Sequence, residues 1–186
     1  LENYVGLWAS SFRYSFLNSA VVSVTSTLLA LLVGVPGAYA LSRMSMRQEK
    51  PLSILILASR MAPPIAFTIP FFLAYRHLDL LDTTTGLVVV YLTFSLALVI
   101  WMMQPYFDSV PRELEEAAWI DGCGVWDAFR RVTLPLSAPG LAATGVICFI
   151  LSWNDFFYAL VLTRTEVTTY TVQVTHYFGG QSNFWA

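Results

Sequence analysis

The chain has 186 residues, 56% of them hydrophobic and 12% charged, with a mean hydropathy of +0.62 and a net charge of −2. A soluble domain carries about 25% charged residues, so half that fraction points to a membrane protein. The charge balance gives no footprint for nucleic acid, and Cys123 and Cys148 alone supply neither a disulfide framework nor a metal set. Both cysteines read as small apolar residues. The sequence opens without an initiator Met, a signal peptide or a tag, which suggests that it begins partway through a longer protein.

Leu1 to Tyr14 mixes Trp8, Phe12 and Tyr14 with one charge pair, Glu2 and Arg13, as suits an interfacial aromatic belt. A first span is expected over 15–42, a run free of charge and longer than the ~20 apolar residues needed to cross. Gly34, Pro36 and Gly37 within it predict a kink or a close helix contact. A short, mainly basic turn follows (Arg43, Arg47, Glu49, Lys50). The second span, 52–75, contains Pro63, Pro64 and Pro70, which rule out a regular lipid-exposed helix because the freed carbonyls need partners. After the turn Arg76 to Thr83, a third charge-free span is expected over 86–107. A fourth is expected over 140–163, followed by a tail with alternating Thr and Val and Gly179-Gly180.

Between the third and fourth spans lies a polar loop, 108–139. Pro111 fits a first helical position, and Glu113, Glu115 and Glu116 follow where carboxylates complement the helix dipole. Leu114, Ala117 and Ala118 share one face, small enough for another body to approach closely. Asp121-Gly122 signals a turn. A second short helix is expected beyond it, with Val125, Phe129 and Val132 on one side, stopped by Pro135 and Pro139. Lys and Arg counts orient the chain. The turn after the first span holds Arg43, Arg47 and Lys50, and the polar loop holds Arg112, Arg130 and Arg131; the other two segments hold only Arg76 and Arg164. Four successive spans put both richer loops on one side, hence the cytoplasm.

Glu116-Ala117-Ala118, three residues, Gly122, nine residues, Val132, one residue and Leu134-Pro135 resembles the EAA loop of ABC importer permeases, with Val132 in place of the usual Ile. In that family the loop is a cytoplasmic coupling helix that docks into a groove of the ATPase subunit. Asn18-Ser19, Ala38-Tyr39-Ala40-Leu41, Pro63-Pro64 with Ile69-Pro70, Leu80-Leu81-Asp82-Thr83 with Gly86-Leu87, and Trp153-Asn154-Asp155-Phe156 are similar to its sugar-importer, maltose-type branch. Cys123-Gly124 departs from a common Ala-Ser pair, although Gly remains an acceptable N-cap. The resemblance implies one more span before Leu1 and another after Ala186, so that this chain is a fragment of a six-span subunit. It also implies an all-α, polytopic bundle like the transmembrane domain of a type I ABC importer.

As the resemblance has it, Glu116 pairs with a basic residue of the ATPase; otherwise it is a solvated first-turn acid. Ala117 and Ala118 permit close packing in the groove, and Gly122 with Asp121 sets the turn that coupling needs. Leu134-Pro135 anchors the loop against the span ends, and Val132 belongs to the same coupling motif. Arg60 lies inside the second span, where it either faces a wet interior or snorkels toward the cytoplasm along its alkyl stem. Asn154 and Asp155, with Trp153, Phe156, Phe157 and Tyr158 beside them, suit a sugar, whose CH faces stack and whose hydroxyls bond. The alternative is an aromatic belt with a polar helix-packing contact. His77 and His176 have no second ligand near them in sequence, which argues against a metal.

The expectation is therefore a permease subunit, not an enzyme, in a bacterial or archaeal cytoplasmic (inner) membrane. It binds no cofactor itself, since it lacks a G-x-x-x-x-G-K-[ST] loop; ATP-Mg belongs to a partner. The partners implied are an ABC ATPase subunit, a second permease subunit, an extracytoplasmic solute-binding protein and the lipid membrane. Rival readings are an ABC permease for another solute and an ion-coupled secondary transporter. The latter is poorly served by one Arg60 and one Asp155, because a coupling relay usually needs several ionisable groups. No paired carboxylates, His cluster or Ser/Lys dyad supports an intramembrane enzyme.

Overall fold

The computed structural model describes residues 11–43, 54–56, 58, 63–164 and 166–180; among them there is helix and no strand. In chain order the elements are α1 (Phe12–Arg43), α2 (Pro64–His77), α3 (Thr84–Asp108), α4 (Arg112–Ile120) and α5 (Val125–Ala128). A π-helical turn (Phe129–Thr133) follows, then α6 (Leu134–Leu136), α7 (Ala138–Trp153), α8 (Phe157–Leu162) and α9 (Tyr170–Gly180). The basic turn 44–50 and Arg60 lie outside the described residues.

Helix α1 is organised in reverse of a soluble helix. Ser15, Ser19, Ser23, Ser26 and Ala30 are buried, while Leu17, Val21, Val24, Leu28 and Leu32 are exposed. Both sets recur at helical spacing, so small residues form the packing face and branched apolar ones the outer face. That division suits lipid, where small residues let backbones approach and large ones meet acyl chains. The Ser26 hydroxyl donates to the Ser23 carbonyl at 3.2 Å, a local bond that spares it an unmet need in an apolar setting.

Among the described residues two helices are long and apolar enough to cross a membrane, α1 with 32 residues and α3 with 25. At about 1.5 Å per residue both exceed the roughly 30 Å hydrocarbon core. The stretch Val125–Leu136 meets Ala138–Trp153 at a bend of 76°, and would make a third if the pair is one span. The expected 140–163 span is not one helix. It divides into α7 and α8 around Asn154, Asp155 and Phe156, where polar side chains compete for backbone partners.

The chain forms two compact units. One comprises Leu1–Thr27, Ala62–Thr93 and Phe149–Ala186. In it Tyr75 donates to the Gly86 carbonyl at 3.0 Å, and the Thr83 hydroxyl caps α3 by accepting the Gly86 amide at 3.0 Å. Asp82, at φ 56°, accepts the amides of Arg164, Glu166 and Val167 at 2.9, 3.0 and 3.2 Å. The segment after α8 is thus fastened to the turn before α3. Ser19 of α1 accepts the Tyr170 amide at 2.8 Å, and the Phe16 ring meets Trp153 edge-on at 5.2 Å.

The other unit comprises Leu28–Met61 and Phe94–Cys148. Here α1 packs on α3 through Gly34, where an added Cβ would lie 2.7 Å from Val99 Cγ1. The close contact expected at Gly34-Pro36-Gly37 is found, in a helix that continues through Pro36. Its core gathers Tyr39, Val99, Met103, Phe107 and Phe129.

Candidate functional site

The polar loop folds as a compact, well-fastened hairpin. Pro111 is the N-cap of α4 rather than its first helical residue, since its ψ of 133° is extended. Glu113 and Glu115 occupy the first turn, and the helix ends at Asp121-Gly122, with Gly122 at φ +89°. The amides of Asp121, Gly122 and Cys123 close the turn on the carbonyls of Ala117, Trp119 and Ala118 at 3.1, 3.0 and 2.9 Å. Gly124, in extended conformation, starts α5 without a side-chain cap.

The second short helix departs from expectation. It passes into a π-helical turn over Phe129–Thr133, and Pro135 lies in the first turn of α6 instead of ending the helix. Pro135 has no amide to offer the Arg131 carbonyl, and the widened ladder falls immediately before it. Val125 is 61% exposed while Phe129 and Thr133 are buried and Val132 half-buried, so Val125, Phe129 and Val132 do not share one environment. Pro139 likewise starts rather than stops a helix, in the first turn of α7.

The residue that fastens this loop is Glu115, only 2% exposed. Its Oε1 accepts from Arg43 Nε at 2.8 Å and from the Thr133 hydroxyl at 2.6 Å; its Oε2 accepts from the Tyr39 hydroxyl at 2.9 Å. Arg43 also donates to the Val110 carbonyl at 2.8 Å, and Arg112 to the Ser42 carbonyl at 3.2 Å. Ser42 donates to Asp108. One buried carboxylate therefore ties α4, the π-helical turn and the end of α1 together. Rings surround it: Tyr39 lies 4.5 Å from Phe129 and 5.8 Å from Phe107, and Phe129 lies 5.1 Å from Trp126. A buried ion pair is tolerable only with such full hydrogen bonding. The sequence reading assigned Glu115 no more than a dipole role, because adjacent glutamates do not announce which one turns inward.

The opposite face is open. Glu116, Ala117, Asp121 and Gly122 are exposed, Ala118 is half-buried, and Ile120 is 87% exposed. Leu114, Trp119, Val125 and Trp126 are exposed as well, Trp126 beside Phe129 on the side of the clasp. Leu134 is half-buried and Pro135 exposed. Large apolar side chains left exposed on a polar loop mark a candidate interaction surface.

In the other unit Asp155 is committed to structure. Its Oδ2 accepts from the Tyr91 hydroxyl at 2.9 Å and from the Tyr158 and Ala159 amides at 3.2 and 3.3 Å, capping α8. Tyr158 is buried, 6.1 Å from the Phe71 ring, with its hydroxyl 3.5 Å from the Pro64 carbonyl. Asn154 is exposed; its amide donates to the Ile150 carbonyl at 2.8 Å and its oxygen accepts from Tyr170 at 3.3 Å. Trp153 stacks with Tyr170 at 5.0 Å. No group of three His, Cys, Asp or Glu side chains among the described residues could hold a metal.

An all-α fold whose long helices are apolar enough to cross a membrane, with a clasped polar loop after the second of them, defines a membrane protein. The chain belongs to the family described as binding-protein-dependent transport system inner membrane component, whose pattern matches residues 26–181. It is 35% identical over 184 residues to the trehalose transport system permease protein SugB of Mycobacterium tuberculosis, covering 98% of this chain and 67% of that one. It is 37% identical over 161 residues to the sulfoquinovosyl glycerol transport system permease protein SmoH of Agrobacterium fabrum, covering 86% and 56%. Its fold is similar, at a TM-score of 0.77 and 30% identity, to a chain of a bacterial ABC transporter involved in the import of the acidic polysaccharide alginate, over 95% of this chain and 62% of that one. The chain thus spans between about half and two thirds of these relatives' lengths.

Proposed function

We propose that the chain is the membrane-spanning part of an ATP-driven importer subunit for a sugar or sugar conjugate, and that α4 is the helix through which a separate ATPase drives it. The observation that carries this reading is the two-sidedness of the loop. Glu115 fixes one face to α1, while Ala117 and Ile120 lie open on the other side of α4. The small Ala117-Ala118 pair lets a groove close around the helix, Glu116 offers a charge to a basic residue there, and Val132, Leu134 and Pro135 hold the loop to the spans. Trehalose and sulfoquinovosyl glycerol in the relatives' names support a carbohydrate solute for this chain. The other partners are a second permease subunit and a solute-binding protein outside a cytoplasmic membrane. Closure of the ATPase would then rock the spans and alternate access. Near the solute, Asn154 with the Trp153 and Tyr170 rings is the group left for hydroxyl and CH contacts, since Asp155 and Tyr158 hold structure; Arg60 is a further candidate.

The test is co-purification of the ATPase with the tagged, full-length subunit. Ala117→Trp adds a large ring at an exposed position and should lower recovery of the ATPase at least about tenfold, equivalent to some 1.4 kcal/mol of binding. Undiminished recovery with Ala117→Trp would overturn the docking role of α4.

A further inference from the structure

We infer that Glu115 is the positioning residue that makes the coupling loop and the C-terminal half of α1 one moving body. The inference rests on the reading of α4 as a docking helix and goes beyond it, from the surface the loop presents to the path by which displacement leaves it. A docked helix pushed by a partner transmits motion only as far as its attachment is stiff. Two elements flank the far side of α4, and one carboxylate is bonded to both: to Arg43 and Tyr39 on α1, and to Thr133 on the π-helical turn.

Both carboxylate oxygens are occupied, and the site is closed to solvent, with side-chain exposures of 11% at Arg43 and 2% at Glu115. Water cannot substitute for a lost partner at such a site. The bonds also differ in direction. Arg43 also donates to the Val110 carbonyl in the link between α3 and α4, so its guanidinium bridges Glu115 and the backbone at the start of the loop. The Tyr39 ring lies against Phe107 and Phe129, which restricts the hydroxyl that meets Oε2. A slide of α4 along α1, or a roll about its own axis, would break at least one bond to a buried charge. The loop therefore moves with α1 or not at all, whereas Glu116, the neighbouring acid, is exposed and free to serve the partner face.

The experiment is a spin-label distance in the full-length importer with its ATPase. Labels go on Leu32→Cys in α1 and Trp119→Cys in α4, which are 72% and 45% exposed. Trp119 follows Glu115 by four residues and so lies off the face of Ala117 and Ile120. Cys123→Ser and Cys148→Ala remove the two thiols of this chain. With Glu115 present, the distance should be narrow and identical in nucleotide-free and ATP-vanadate states. Glu115→Gln, which keeps the shape and removes the charge, should broaden the distribution about twofold or more and make it nucleotide-dependent, as expected of a segment released into local opening. Tyr39→Phe should broaden it less. A role in stability alone would lower the melting temperature and leave the distance of the folded protein narrow. A nucleotide-dependent distance with Glu115 intact would overturn the proposal, as would a narrow, invariant one in Glu115→Gln. ATPase recovery with the Ala117→Trp variant reports separately on docking: undiminished recovery sinks the docking reading, and diminished recovery with invariant Glu115→Gln distances sinks only the linkage.

Discussion

Gly122 and Gly124 stand two residues apart at the tip of the loop, and the structure predicts opposite responses to the same substitution. A Cβ added at either would meet no atom within 4 Å, so sterics against the rest of the chain decide nothing. Backbone conformation decides. Gly122 sits at φ +89° and Gly124 at φ −73°. Placing Ala in the left-handed region costs roughly 1–2 kcal/mol, and the stiffer unfolded chain returns about 0.4–1. The net loss for Gly122→Ala is then about 1 kcal/mol, whereas Gly124→Ala should be neutral or slightly stabilising. The strain falls on the three bonds that close the turn, from the amides of Asp121, Gly122 and Cys123. Hydrogen exchange of those amides in detergent-solubilised, full-length protein is the assay. About 1 kcal/mol should speed their exchange roughly fivefold in Gly122→Ala. Gly122→Asn should fall between, because Asn tolerates this region better than Ala. Equal exchange in the two Ala variants would refute the reasoning, since it would mean that φ at Gly122 is not what holds the turn.

Gly34→Ala should destabilise the α1–α3 contact by about 1–3 kcal/mol through overpacking, because its Cβ would lie 2.7 Å from Val99 Cγ1. Val99→Ala should relieve part of that loss, read as the melting temperature of the double variant against both singles. Asp82→Ala should cost about 1–2 kcal/mol by freeing the amides of Arg164, Glu166 and Val167, and limited proteolysis should then cut faster at 163–167. Tyr91→Phe should cost about 1 kcal/mol by removing one donor to Asp155. Phe cannot restore that bond, so thermal melting should show the loss whether or not a solute is bound.

The two charge-free runs gave their helices almost to the residue, 15–42 against Phe12–Arg43 and 86–107 against Thr84–Asp108, because in lipid the helix is the simplest way to satisfy every backbone group. The turn at Asp121-Gly122 was legible for an equally local reason, glycine's access to positive φ. What escaped depended on which partners each residue finds, near or distant in sequence. Pro135 read as a stop, yet the π-helical turn before it absorbs the missing amide. Asn154-Asp155 read as part of a span with polar chemistry, although an Asp three residues before a backbone amide is also a cap, and the Tyr158 amide uses it so. Glu115 was the least visible. Two glutamates in succession look alike in a first turn, and only the positions of Tyr39 and Thr133, 76 and 18 residues away, separate the buried one from the exposed one.

The most direct test of the coupling role is a cysteine at Ala118, in an otherwise Cys-free full-length subunit co-expressed with its ATPase. The account predicts a crosslink between the two whose yield changes with nucleotide. A folded complex that gives no crosslink at Ala118 or at its neighbours on α4 would contradict it.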